Sequence, residues 1–122
     1  MSSDKNFEEL ISNIVDQTNI LKNSCKAQII QISHSNNPEN LMRSLRNCYE
    51  TSELCDLLLL YITNRSPNIT SCINFTHDVL NSCIKECKKI DNINSVKDTS
   101  KFCIKQCEKL DKLLIKFNNN IQ

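Results

Sequence analysis

The sequence predicts an all-α protein, an antiparallel up-down-up-down four-helix bundle, and three observations lead there. The 122 residues include no glycine and only two prolines, Pro38 and Pro67. Clusters of turn-forming residues cut the chain into four stretches of helical length. Within each stretch, apolar or cysteine residues recur at alternating steps of four and three, a heptad-like seam. Short connections then force neighbouring helices to run antiparallel. At this length the whole chain, 1–122, is expected to form one domain with a single core.

The first helix is expected over about 4–34, opening at Ser3-Asp4, with the seam Phe7, Ile11, Ile14, Thr18, Leu21, Cys25, Ile29, Ile32. The break His34-Ser35-Asn36-Asn37-Pro38 ends it. A second helix, about 38–64, places Pro38 in its first turn and carries Leu41, Leu45, Cys48, Ser52, Cys55, Leu59, Ile62. After Asn64-Arg65-Ser66-Pro67-Asn68 comes a third, about 67–90, with Ile69, Ile73, Thr76, Leu80, Cys83, Cys87, Ile90. The weaker break Asp91-Asn92-Ile93-Asn94-Ser95 leads to a fourth, about 96–118, with Val96, Ser100, Cys103, Cys107, Leu110, Leu114, Phe117.

Composition excludes several classes of function. Without glycine there is no GxGxxG or GxxxxGK phosphate loop and no nucleophile elbow, each of which needs positive φ or close backbone approach. The net charge of +1 provides no field to steer a polyanion. Nine lysines face five acidic groups over residues 81–122, but they alternate along a solvated face without interleaved aromatics, so nucleic acid is not an expected partner. No paired carboxylates share an inward face, and no Ser/His/Asp or Cys-His arrangement occurs, so no catalytic activity is expected. The longest apolar run, Leu57 to Ile62, is too short to span a bilayer, so a membrane is not an expected partner either. The polar, acidic start, Met1 to Leu10, lacks the regions of a signal peptide, giving cytoplasmic as the expected location. Self-association is left open.

Eight cysteines in a reducing compartment point to metal before disulfides. At ~1.5 Å of rise per residue, Cys25, Cys48, Cys83 and Cys107 fall at about 17–18 Å from the bundle end formed near Asn36 and Ser95. Cys87 and Cys103 fall about one turn lower. Cys55 lies on the seam about two turns higher, and Cys72 beside the seam near the other end. Six inward thiols suit Cu(I), which is soft and takes two or three thiolates. They also suit tetrahedral Zn(II), with CxxxC pairs from two facing helices. Disulfides Cys83–Cys107 and Cys87–Cys103 are a third chemistry, and core cysteines without any ligand a fourth.

Leu45 to Leu57, with Arg46, Cys48, Cys55 and Asp56, running on to Ser66-Pro67, resembles the second helix of the cysteine-rich four-helix-bundle copper storage proteins. Cys83-Ile84-Lys85-Glu86-Cys87 and Cys103-Ile104-Lys105-Gln106-Cys107 are similar to the ends of that family's third and fourth helices. The resemblance implies Cu(I) stored by thiolates inside the bundle. This chain departs from the family at Ser44, Thr51, Thr76, Leu80, Val96 and Ser100, where cysteines would stand, and at Ile90, where a histidine would. It therefore implies a small Cu(I) site of reduced capacity, held by Cys25, Cys48, Cys83, Cys87, Cys103 and Cys107 with Cys55 peripheral, and Cu(I) is preferred over Zn(II).

A second resemblance covers residues 83–107 alone. Cys83-x3-Cys87-x15-Cys103-x3-Cys107 is similar to the twin CX3C chaperones, whose helical hairpins carry two disulfides. A degenerate bundle acting as a metal-free scaffold ranks third. Met42 is a candidate thioether ligand with rim packing as the preferred reading. His34 and His77 are read as surface imidazoles, and Glu53, Asp56 and Glu86 as solvent-facing.

Overall fold

The computed structural model describes residues 2–36 and 38–121. Met1, Asn37 and Gln122, which belong to the expected 1–122 domain, lie outside the described residues, as does that part of the first expected break. Four α-helices make up the protein: α1 (Ser2–Ser33), α2 (Met42–Thr63), α3 (Ile69–Ile90) and α4 (Lys97–Ile121). Pro38–Leu41 forms a 3-10 turn ahead of α2, a short element compatible with proline's fixed φ and missing N–H. There is no strand among the described residues.

In a chain without glycine, the end of α2 requires a left-handed residue, and Arg65 takes that place with φ of 51°. Ser66 N–H donates to the Tyr61 carbonyl (3.0 Å) and Arg65 N–H to the Ile62 carbonyl (3.4 Å). This is the Schellman pattern, normally closed by glycine because a Cβ at positive φ costs about 1 kcal/mol. Arg65 also forms an exposed ion pair with Glu8 of α1.

Each helix packs against two others, in the ring α1–α2–α3–α4. Their cross-helix partners fix the register. Moving up α1 from Gln17 to Gln28, the partners on α4 step back from Gln106 to Ser100. On α3 and α4, His77 meets Asp111 while Cys83 meets Cys103. Phe7 and Phe117 stack at 5.3 Å between ring centroids at the far end.

The buried face of each helix is wider than one heptad seam. Leu10, Ser24 and Gln28 of α1 are buried, and so are Ser44, Thr51, Leu54 and Leu58 of α2. The expected seam residues Phe7, Ile11 and Ile29 pack against the core half-buried, and Ser52 and Leu59 are half-buried too. In α2 the four-three seam runs through Ser44, Cys48, Thr51, Cys55, Leu58 and Ile62, one residue off the expected one at Leu45, Ser52 and Leu59, and in α1 it takes Gln28 in place of Ile29. Leu10, Ser24 and Leu54 are buried beside the seams because each helix has two neighbours. Most of the core is one apolar cluster. Ile32, Leu41, Ile90 and Val96 form a separate cluster closing the end where the 3-10 turn and the α3–α4 connection lie.

Candidate metal centre

Seven residues inward from each member of that closing cluster stands a cysteine: Cys25 from Ile32, Cys48 from Leu41, Cys83 from Ile90 and Cys103 from Val96. One heptad is two helical turns, about 10 Å, so four helices in a common register bring the four thiols to one level. Their Sγ atoms all lie within 4.8 Å of one another. Cys103 Sγ is 3.9 Å from Cys83 Sγ and 4.0 Å from Cys25 Sγ. All four side chains are 0% exposed, which shuts this layer off from solvent.

The layer expected from helical rise contained Cys107 where the structure has Cys103. That expectation folded α3 onto α4 about Ser95. The connection instead turns about Ile93, whose N–H donates to the Ile90 carbonyl and whose carbonyl accepts from Val96 N–H. Cys83 and Cys103 are each ten residues from Ile93 and therefore face each other. Cys107 is moved to the side of the layer, interacting with Cys103 and Cys83. Cys87 lies on the opposite side, toward the closing cluster, with Ser44 Oγ 3.6 Å from its Sγ. Cys55 is buried but outside the converging four, and Cys72 is buried on α3, where its carbonyl accepts from Thr76 Oγ1. All eight cysteines are free thiols.

The thiols share protons unequally. Hydrogen bonds within the cluster hold Cys83 and Cys103 below the usual thiol range. An S–H from Cys103 favours the thiolate at Cys83, and an S–H from Cys107 favours it at Cys103. Cys25, Cys48 and Cys87 are pushed up in consequence, first by their hydrogen bonds to Cys103. Cys55 is pushed up to about 12, chiefly by burial. A cation placed among these sulfurs would displace the remaining protons, so binding is pH-dependent.

Polar residues border the thiol layer. Toward the closing cluster, the fully buried Gln28 donates to Ser100 Oγ (2.6 Å) and accepts from Thr99 Oγ1. On the other side, the hydroxyls of Thr18, Thr51 and Thr76 each donate to a carbonyl four residues back on their own helix, at 2.6 to 2.7 Å. The six positions where the resemblance led us to expect cysteines, Ser44, Thr51, Thr76, Leu80, Val96 and Ser100, are all buried.

Sequence reasoning did not find the polar border at Gln28, Ser24 and Gln106. Gln17 Nε2 crosses from α1 to donate to the side-chain oxygen of Gln106 at 2.8 Å. Gln28 stands on the strict four-three seam after Cys25, where Ile29 was expected, so the spacing does mark it; Ser24 and Gln106 lie beside the seams, and their burial depends on the register. Ser24, next to Cys25, is buried with no partner for its hydroxyl.

Of the smaller candidates, Met42 is exposed at the closing end. His34 bonds the Ile30 carbonyl of its own helix through Nδ1. His77 bonds Asp111 at 2.6 Å and accepts from Asn81. Glu53 and Asp56 face solvent, whereas Glu86 is half-buried beside Lys89.

Among the described residues no helix is long and apolar enough to cross a membrane. The family model for Csp, copper storage protein, matches residues 6–114. No curated protein and no solved structure gives a match.

Proposed function

The chain belongs to the copper storage protein family, and on that premise we propose that it binds Cu(I) through cysteine thiolates inside the bundle, as a store or buffer of small capacity. The observation that carries this reading is the convergence of Cys25, Cys48, Cys83 and Cys103, one from each helix, within 4.8 Å. Soft thiolates select Cu(I), and a fully buried setting keeps it from redox cycling. Cys87 and Cys107 adjoin the four and extend the ligand set, while Cys55 is peripheral.

The reading takes residues 1–122 as one domain with helices alternating up and down. The partners that step back along α4 as α1 advances support that arrangement. The protein acts without catalysis, in the cytoplasm, with metal ions as its partners. Zn(II) ranks behind Cu(I) as the stored ion.

An anaerobic titration of reduced protein with Cu(I), against a chromogenic competitor, tests the reading. Withdrawal of Cu(I) from the competitor is the expected result, and failure to withdraw any overturns it. Thiol counting in denaturant without reductant separates this reading from the disulfide hairpin. Eight free thiols fit copper binding, and four fit the hairpin.

A further inference from the structure

We infer that the Cys25–Cys48–Cys83–Cys103 layer is also a closed four-coordinate site for a single divalent thiophilic ion, Zn(II) by its ligand chemistry, which would tie all four helices together. This rests on the reading that these thiols bind metal, and not on Cu(I) being their cargo.

Coordination number is the first ground. One Cu(I) takes two or three thiolates and leaves at least one of the four without an ion. A tetrahedral ion uses all four. With Zn–S bonds of about 2.3 Å, the sulfurs of a tetrathiolate site stand ~3.8 Å apart. The two closest pairs are already at 3.9 and 4.0 Å, and no pair exceeds 4.8 Å. Contraction by about 1 Å or less would close the site.

Enclosure is the second ground. Structural zinc sites are closed, with four protein ligands and no open position. Here each ligand is fully buried on a separate helix. On the closing side stand Gln28 and Ser100, already bonded to each other. On the other side the threonine hydroxyls are committed to their own helices. The amide and hydroxyls named on the two sides are thus engaged in hydrogen bonds of their own.

Charge is the third. All four thiols lose their protons to bind a divalent ion, so the filled site carries net negative charge in the core. Ser44 already lies within hydrogen-bonding reach of Cys87, so hydroxyl donors occur at the edge of the cluster to receive such charge.

Co(II) is the probe, because four-coordinate thiolate cobalt absorbs strongly in the visible whereas hexa-aquo cobalt is pale. Reduced full-length protein is titrated anaerobically with Co(II) chloride and then with Zn(II). The expected result is strong absorption saturating at one equivalent, bleached by one equivalent of Zn(II). Cys103→Ser and Cys48→Ser should each lose the tetrathiolate spectrum and bind about tenfold or more weakly. Cys72→Ser should leave the spectrum unchanged. Circular dichroism of each metal-free variant shows whether the helices survive the substitution. A pale spectrum, or an intense one that persists in both ligand variants with their helices intact, overturns the inference. If Cu(I) is bound and Co(II) is not, this inference fails while the proposed function stands. If neither ion binds, both fail.

Discussion

The thiol layer and the layer one heptad deeper occupy equivalent positions yet are built for different purposes. Moving seven residues inward from Cys25, Cys48, Cys83 and Cys103 gives Thr18, Cys55, Thr76 and Leu110. These are buried just as the thiols are. The two threonines bond their own helices, the leucine joins the apolar core, and one thiol remains. The backbone thus provides the same four-helix convergence twice, and only the side chains make one level a ligand set. Of the two levels, only the one at Cys25, Cys48, Cys83 and Cys103 is a complete thiol layer.

That comparison can be broken most forcefully by loading the site. Cu(I) at ~1000 times its dissociation constant should add about 4 kcal/mol of stability, roughly 15 °C in Tm. Cys103→Ser should abolish the shift and Cys55→Ser should keep most of it, as read by anaerobic thermal melts. Equal losses from the two variants would erase the distinction between the layers.

Restoring the second layer is the complementary test. Thr18→Cys, Thr76→Cys and Leu110→Cys together complete four thiols around Cys55. The Cu(I) equivalents bound should rise to about twice the original number, at a cost of ~2 kcal/mol to the metal-free protein from the lost leucine. Competitor titration measures the first and denaturant unfolding the second.

The lone thiol of the deeper layer has its own signature. Burial raises Cys55 from near 9 to about 12 in the fold. Its contribution to stability is therefore complete below about pH 9, where the folded and unfolded chains both hold the proton. Above that the unfolded chain ionises first, and the contribution is lost as pH climbs to about 12. Chemical denaturation of the metal-free protein across this window should show the fall, and Cys55→Val should flatten part of it.

Smaller effects sharpen the edges of the comparison. Gln28→Leu should cost about 1–3 kcal/mol in urea unfolding, since Ser100 and Thr99 would lose their buried partner. The smallest effect belongs to the turn farthest from the metal. Arg65→Gly should raise stability by up to ~1 kcal/mol by removing a Cβ at positive φ, less whatever the exposed pair with Glu8 contributes.

The four helices and most of their inward positions were legible because heptad spacing is a property of one segment at a time. Ile14, Leu21, Leu80, Leu110 and Leu114 could be assigned to the core without knowing what they touch. The membership of the thiol layer was not legible in the same way. Choosing Cys103 over Cys107 requires the residue about which α3 folds onto α4, and two hydrogen bonds at Ile93 decide it. Gln28 was legible on the four-three seam of α1, but the amide Gln106, beside the seam of α4, was hidden for a related reason. A buried amide is tolerable only opposite a partner, and the partner lies on another helix, outside any single segment's pattern.

The cluster of Ile32, Leu41, Ile90 and Val96 has a consequence for time as well as for structure. It is buried and stands between the thiols and the nearest bundle end. An ion bound as proposed would reach the sulfurs only during moments of local opening, so at high donor concentration its loading rate would level off at the opening rate of the helix ends. Release would wait on the same event, and residence time would follow from this lid of four aliphatic side chains together with the strength of the metal–sulfur bonds.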